Sequence, residues 1–271
     1  MQTVIIGKQS NLSNLLSSSL SNCFLISSRE IMTDIKVLSK FKGKKINIIF
    51  NNFQPATQLN NLENASDYIT NSILITAKVL DYFKNTDINK IIYTSSSSVY
   101  GNNILCKESD ELKPMNLHAS LKVANEKLIQ MYCSDNKIDY TITRIFNMYG
   151  GDDKFSIISK LLDAYKNGKE LSIVNHGNAI RDFIHIDDVV LIYIKLLEIK
   201  NLNILNIGTG EGTSVKSLLS LLSNNGINIK TKNIFRDELK ISTSDNRLLM
   251  DTFKNDTFID VEKYLINEFK K

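Results

Sequence analysis

Hydrophobic residues in this chain come in short runs separated by longer amphipathic stretches. The runs at residues 4–6, 24–27, 46–50, 90–94 and 140–145 read as strands, since brief apolar, β-branched-rich segments suit a sheet buried on both faces. Between them, residues 67–83 and 120–133 repeat apolar positions at helical spacing. Strand and helix alternating in this way predict an α/β fold: a doubly wound parallel sheet that binds ligands beyond the carboxyl ends of its strands. After Gly150 the rhythm changes. Helices are expected at 155–167 and 185–200, extended segments at 170–174 and 205–207, and a mainly helical tail from 213 onward. The expected division is a sheet domain over 1–150 and a smaller lobe over 151–271, interleaved with the first.

Composition narrows the picture without changing it. The 271 residues are 42% apolar with two prolines, which is a globular chain with material for a sizeable core. A net charge of +4, carried by scattered lysines, argues against a nucleic-acid surface. Cys23, Cys106 and Cys133 are odd in number and far apart, so reduced thiols in a cytoplasmic protein are expected rather than a disulfide framework. The first residues already form a strand pattern and no apolar run is long enough to span a bilayer. Neither a secretory leader nor a membrane helix is expected.

The residues with chemical potential fall just after the predicted strands. Gly7-Lys8-Gln9-Ser10-Asn11-Leu12-Ser13 follows the first strand and opens the first helix. A glycine there permits a tight turn, and small residues let backbone approach a phosphate at the helix N-terminus. Hydroxyls of Ser10 or Ser13 and the charge of Lys8 suit an anion. The second strand ends Ser27-Ser28-Arg29, with no acidic side chain at its tip for a ribose 2′-hydroxyl. Ser28 and Arg29 suit a 2′-phosphate instead, while nearby Glu30 keeps an unphosphorylated ribose open. Ser95-Ser96-Ser97-Ser98-Val99-Tyr100-Gly101 closes the 90–94 strand, and Leu117-His118-Ala119-Ser120-Leu121-Lys122 opens a later helix. His118 and Lys122 lie one turn apart on one face. Further on stand Arg144-Ile145-Phe146-Asn147-Met148-Tyr149-Gly150, then Ile180-Arg181-Asp182-Phe183-Ile184-His185-Ile186-Asp187-Asp188-Val189, then Asn206-Ile207-Gly208-Thr209-Gly210.

In this order the motifs resemble the extended short-chain dehydrogenase/reductase family, the NAD(P)-dependent nucleotide-sugar epimerases and dehydratases. The likeness covers essentially the whole chain. It implies a Rossmann-type NAD(P)-binding domain, a C-terminal substrate-binding lobe and hydride transfer at a sugar ring carbon. By resemblance, Gly7, Ser10, Asn11, Ser28, Arg29, Asn71 and Lys122 bind the dinucleotide, with NADP slightly favoured over NAD. Ser97, Asn147, Arg181 and Arg236 bind a nucleotide-diphosphate sugar, Arg181 as a guanidinium fork on the diphosphate. Asp182, His185 and Asp187 organise their loop, and no metal is expected. Ser96, His118 and Lys122 take the family's Ser/Thr, Tyr and Lys positions.

Three features depart from the family. Serines replace two glycines of the Gly-x-x-Gly-x-x-Gly loop. Asn51-Asn52-Phe53-Gln54-Pro55 replaces a small-residue loop. Histidine replaces the tyrosine. A neutral imidazole can accept a proton near neutral pH, and a neighbouring ammonium favours the neutral form. Three readings of His118 stay open: a working acid/base, a support for Ser96 acting through a water, or a residue in a protein that binds without turnover. Ser97 and Ser98 stand where the family's dehydratases carry Asp-Glu, which disfavours elimination of water and leaves epimerisation or ketone reduction. The resemblance also implies a homodimer through helices 67–83 and 120–133, a place in surface-polysaccharide synthesis and, since the chain is short for the family, a trimmed C-terminal lobe.

Overall fold

The computed structural model describes residues 1–52, 65–254 and 257–271. The chain divides into two compact units, each assembled from separate stretches. The first comprises Met1–Val99, Pro114–Arg144 and Val190–Leu205; the second comprises Tyr100–Lys113, Ile145–Val189 and Asn206–Lys271.

The strands of the first unit follow from its apolar runs. They are Gln2–Ile6 (β1), Cys23–Ile26 (β2), Ile46–Phe50 (β3), Ile88–Ser96 (β4) and Asp139–Ile145 (β6), with Ile204–Ile207 (β11) at one edge. Their order is β2-β1-β3-β4-β6-β11. The pairings of β1 with β2, β1 with β3, and β3 with β4 are parallel. Every residue of β3 is buried, as expected of a strand covered on both faces. This is the Rossmann-type α/β fold that the alternating pattern predicts. The chain crosses over between β2 and β3, so the switch point lies at β1 and β3, where such sheets bind ligands. Only β2 stands beyond β1, and a short helix and a 3₁₀ turn lead from β2 toward β3.

Helices Asn11–Ser19 (α1), Ser28–Thr33 (α2), Ala65–Ile69 (α3), Ile75–Tyr82 (α4) and Leu117–Asn136 (α5) belong to this unit. Val4, Ile48, Phe50, Val79, Ile91, Ile129 and Ile142 share its core. Residues 67–83, expected as one regular helix, contain a π turn at Thr70–Leu74 between α3 and α4. In α5, Asn116 caps the start by accepting from the Ala119 amide, and Lys137 ends it in the left-handed conformation.

The second unit has short strands: Asn103–Cys106 (β5), Asn147–Tyr149 (β7), Leu171–Val174 (β8), Ile180–Arg181 (β9), Phe183–His185 (β10), Thr213–Ser214 (β12), Thr231–Ile234 (β13) and Ile241–Ser244 (β14). They form one four-stranded sheet, β12-β9-β14-β5, and the pairs β10-β7 and β13-β8. Ile157–Lys166 (α6), Val215–Asn224 (α8) and Val261–Lys270 (α10) bury Leu161, Leu218, Leu222 and Leu265 in one cluster with Tyr149 and Phe183. Ile186–Leu196 (α7) follows β10 and Arg247–Phe253 (α9) follows β14.

Candidate active site

The β1–α1 turn is built around Gly7. Its φ is +121°, and a Cβ there would lie 2.1 Å from the backbone oxygen of Asn51, so no other residue fits. The Gly7 amide donates to the Ile26 oxygen, tying the turn to β2. Both serines that replace glycines are bound by one side chain: the Asn51 amide donates to Ser10 Oγ at 2.7 Å and to Ser13 Oγ at 2.9 Å. Ser13 is fully buried, so of the two hydroxyls expected to offer themselves to a phosphate, Ser13 is a packing group. Ser10 is the α1 N-cap and makes no side-chain cap bond, leaving the start of α1 uncapped by its own side chain. That geometry, with the glycine cradle, fits a dinucleotide pyrophosphate. The departures at Ser10, Ser13 and Asn51 thus form one mutually bonded set. Asn52, from the same loop, donates to the backbone oxygens of Asn71 and Ser72 and so ties the loop to the π turn that carries Asn71. Phe53, Gln54 and Pro55 lie outside the described residues.

At the tip of β2, Ser27 and Glu30 form a capping box for α2. Glu30 Oε2 accepts from the Ser27 amide at 2.8 Å and from Ser27 Oγ at 2.6 Å. These bonds hold the Glu30 carboxyl below its usual range and engage its Oε2 in the cap. Ser28 is half-buried and Arg29 exposed beside it.

β4 and α5 place the chemical residues. Lys122, 5% exposed, reaches from α5 to β4, where its Nζ donates to the Thr94 oxygen at 2.5 Å and lies 5.2 Å from the centre of the Tyr93 ring. Ser96 is two residues further along β4; its Oγ accepts from Ser98 Oγ at 3.0 Å and from the Ser98 amide at 3.2 Å. Ser97 is buried. His118 lies one turn before Lys122, half-buried, with its ring edge-on to Tyr68 at 6.1 Å between centroids. Burial first, and the Lys122 ammonium second, push the imidazole down to about 3. Burial pushes the Lys122 ammonium down to about 7, against the opposing pull of Glu126.

Glu126 was not anticipated. It lies one turn beyond Lys122, almost fully buried, and pairs with Arg144 of β6, whose NH2 donates to its Oε2 at 2.8 Å. Arg144 Nε and Ser95 Oγ both donate to Glu126 Oε1, at 3.2 and 2.5 Å. The spacing that flags Lys122 also flags Glu126: a charged residue at the next i, i+4 position on the buried face of α5 must have buried partners.

In the second unit Asp182 is the organising residue. It is fully buried and accepts from Thr209 N and Oγ1, Gly210 N, and Ser244 N and Oγ. The Asn206–Gly210 connection is therefore fastened to β14 through one carboxylate. Asn147, half-buried on β7, points its amide at the Asp182 oxygen, 3.3 Å away. His185 packs against Tyr149 and Tyr264, and its Nδ1 accepts from the Asp187 amide. Arg181, on β9, donates to the backbone oxygens of Ile180 and Leu239 and pairs with Glu238 at 3.3 Å. Arg236 is exposed, with its backbone oxygen accepting from Asn175. Among the described residues no group of three or more His, Cys, Asp and Glu is placed to hold a metal, and no helix is long and apolar enough to cross a membrane.

Comparison with known proteins decides the family. Residues 21–208 match the family model described as NAD dependent epimerase/dehydratase family. The chain belongs to that family. Among sequence relatives, this family member is 33% identical over 162 residues to the uncharacterized protein MJ1055 of Methanocaldococcus jannaschii, across 57% of this chain and 48% of that one. It is 30% identical over 184 residues to a dTDP-D-glucose 4,6-dehydratase of Dictyostelium discoideum, across 62% and 42%. The epimerase/dehydratase chain thus spans about half the length of these curated relatives. In fold it is similar to a UDP-glucuronic acid 4-epimerase from Bacillus cereus, solved with UDP-glucuronic acid and NAD: TM-score 0.85, 21% identity, 100% of this chain and 98% of that one.

Proposed function

We propose that this chain is an NAD(P)-dependent enzyme that epimerises or reduces a nucleotide-diphosphate sugar by hydride transfer at a ring carbon. The observation that carries the reading is Lys122: a lysine buried on α5, one turn after His118, bonded to β4 beside Ser96. A dinucleotide, when bound, supplies the hydride acceptor or donor. Gly7, Ser10 and the α1 amides would hold its pyrophosphate, Lys122 and Asn71 its nicotinamide side, and Ser28 with Arg29 a 2′-phosphate, since Glu30 is engaged in its capping box. NADP is therefore the favoured form. Ser96 and His118 bind the reacting hydroxyl or ketone oxygen, and His118 takes or returns its proton with Lys122 as the adjacent proton reservoir at about 7. Ser97 and Asn147 line the sugar side, and Arg181 with Arg236 serve the diphosphate. Ser97 and Ser98 supply no acid/base pair, so elimination of water is not part of the reading. The reading also includes a place in surface-polysaccharide synthesis and a homodimer through the helices of residues 67–83 and α5, where Leu74 and Met131 are exposed.

A second reading is favoured by the histidine at the tyrosine position. Half-buried one turn from the Lys122 ammonium, its imidazole is a weakened base, as befits a protein that binds a dinucleotide or sugar nucleotide without turnover. The test is a panel of nucleotide sugars and their 4-keto forms incubated with NAD(H) and NADP(H), product followed by chromatography and cofactor by absorbance. Turnover in the parent and its loss in His118→Ala support the enzyme. Binding without product in every combination refutes it, and unchanged turnover in His118→Ala removes His118 from the chemistry.

A further inference from the structure

We propose that Glu238 is a built-in competitor at Arg181, occupying the guanidinium until a diphosphate displaces it. The inference rests on Arg181 being the diphosphate residue proposed above. A carboxylate and a phosphate present the same pair of acceptor oxygens to a guanidinium fork, so each can take the other's place. Here both carboxylate oxygens are held. Oε2 faces Arg181 NH2 at 3.3 Å, and Oε1 accepts from Asn175 Nδ2 at 3.1 Å. The same Asn175 amide donates to the Arg236 oxygen at 2.7 Å, so the loop carrying Arg236 and Glu238 is drawn onto Arg181 as one piece. The Leu239 oxygen takes a further bond from Arg181 NH2.

Two features make this contact replaceable. At 3.3 Å the pair is longer than the ~2.7–2.9 Å of a strong charge-assisted bond, so a phosphate seated closer gains more than the carboxylate loses. The side chains are 17% and 22% exposed, so an incoming anion can reach the fork. Burial lowers the Arg181 guanidinium while Glu238 raises it, so the anion offsets part of the cost of burying the cation. Glu238 therefore sets a threshold. It keeps Arg181 from binding single weak anions and yields to a diphosphate, which brings more charge and more oxygens.

The experiment titrates inorganic pyrophosphate calorimetrically into the full chain as parent, Glu238→Gln, Asp237→Asn and the double variant Arg181→Ala/Glu238→Gln, with melting curves to establish folding. Glu238→Ala repeats the measurement with the carboxyl removed outright. The expected result is about tenfold tighter pyrophosphate binding in Glu238→Gln, the size of one charge-assisted bond released. Asp237→Asn, which removes the same charge from an exposed neighbour, should change affinity by no more than about twofold. The double variant should lose the gain. Equal or weaker binding in Glu238→Gln and Glu238→Ala, absence of binding in all forms, or an equal gain in Asp237→Asn overturns the proposal. The outcome is independent of catalysis. Turnover without the gain keeps the enzyme reading and rejects the competitor; the gain without turnover does the reverse.

Discussion

Replacing Asp182 by Asn tests whether the second unit is organised through one carboxylate. The swap conserves shape and removes charge at a fully buried position that receives five hydrogen bonds. An asparagine can point its oxygen at only one group of donors. The cheaper orientation keeps the oxygen toward Gly210 N and toward Ser244 N and Oγ. The new NH2 then faces Thr209, whose hydroxyl can turn to accept but whose amide is stranded. One stranded buried amide costs about 1–3 kcal/mol, and the surviving bonds each fall from charge-assisted to neutral strength, for a total of about 4 kcal/mol. At about 2–4 °C per kcal/mol, the range for a chain of some 150–250 residues melting as one, the melting temperature should fall by about 8–16 °C. Ser244→Ala removes a single hydroxyl donor and should cost about 1 kcal/mol. The assay is a pair of thermal melts followed by circular dichroism. An Asp182→Asn protein that melts within about 2 °C of the parent refutes the reasoning, as does a Ser244→Ala protein that loses as much as Asp182→Asn.

Two further substitutions read the first unit. Gly7→Ala places a methyl against the Asn51 oxygen and forces a non-glycine residue to φ +121°; it should cost about 2 kcal/mol or more and abolish NAD(P)H fluorescence enhancement on titration. Lys122→Met should abolish turnover yet melt higher than the parent at pH 6. An unfolded lysine keeps its proton to 10.5 whereas the folded one releases it above about 7, so the parent gains stability with rising pH across that window and the advantage of Met should shrink toward pH 10.5.

The sheet was legible because its strands are short apolar runs and its helices carry periodic stripes, both products of burial. Boundaries moved for local reasons. The run at 90–94 extends to Ile88–Ser96 because Ile88 still pairs with Ile46 of β3 and Ser95 is buried at the other end. The helix at 120–133 starts at Leu117 because Asn116 caps it, a signal present in the sequence and passed over. Strands β5, β7, β9 and β12 were not read, since two to four residues carry no periodicity and are fixed by partners far along the chain. At the site, spacing found His118 and Lys122 on one helix face. It missed Asn51 and Glu238, whose roles exist only because distant segments meet: Asn51 with Ser10 and Ser13, Glu238 with Arg181 and Asn175.

Exchanging tyrosine for histidine reverses what the neighbouring lysine does. Beside a phenol, a buried ammonium lowers the pKa of a neutral acid and brings it toward neutrality. Beside an imidazole the same charge opposes protonation, and burial acts in the same direction, so His118 is carried to about 3 and away from the working range. Each unit of that displacement is worth about 1.4 kcal/mol of driving force for accepting a proton. A base four units below neutrality starts about 5 kcal/mol behind one matched to it. The structure offers one compensation on the same helix face. Lys122, displaced by burial to about 7, titrates where a matched acid/base should, and it stands one turn from His118. In the proposed reaction the proton that His118 exchanges with the sugar oxygen would therefore be drawn from Lys122 and returned to it.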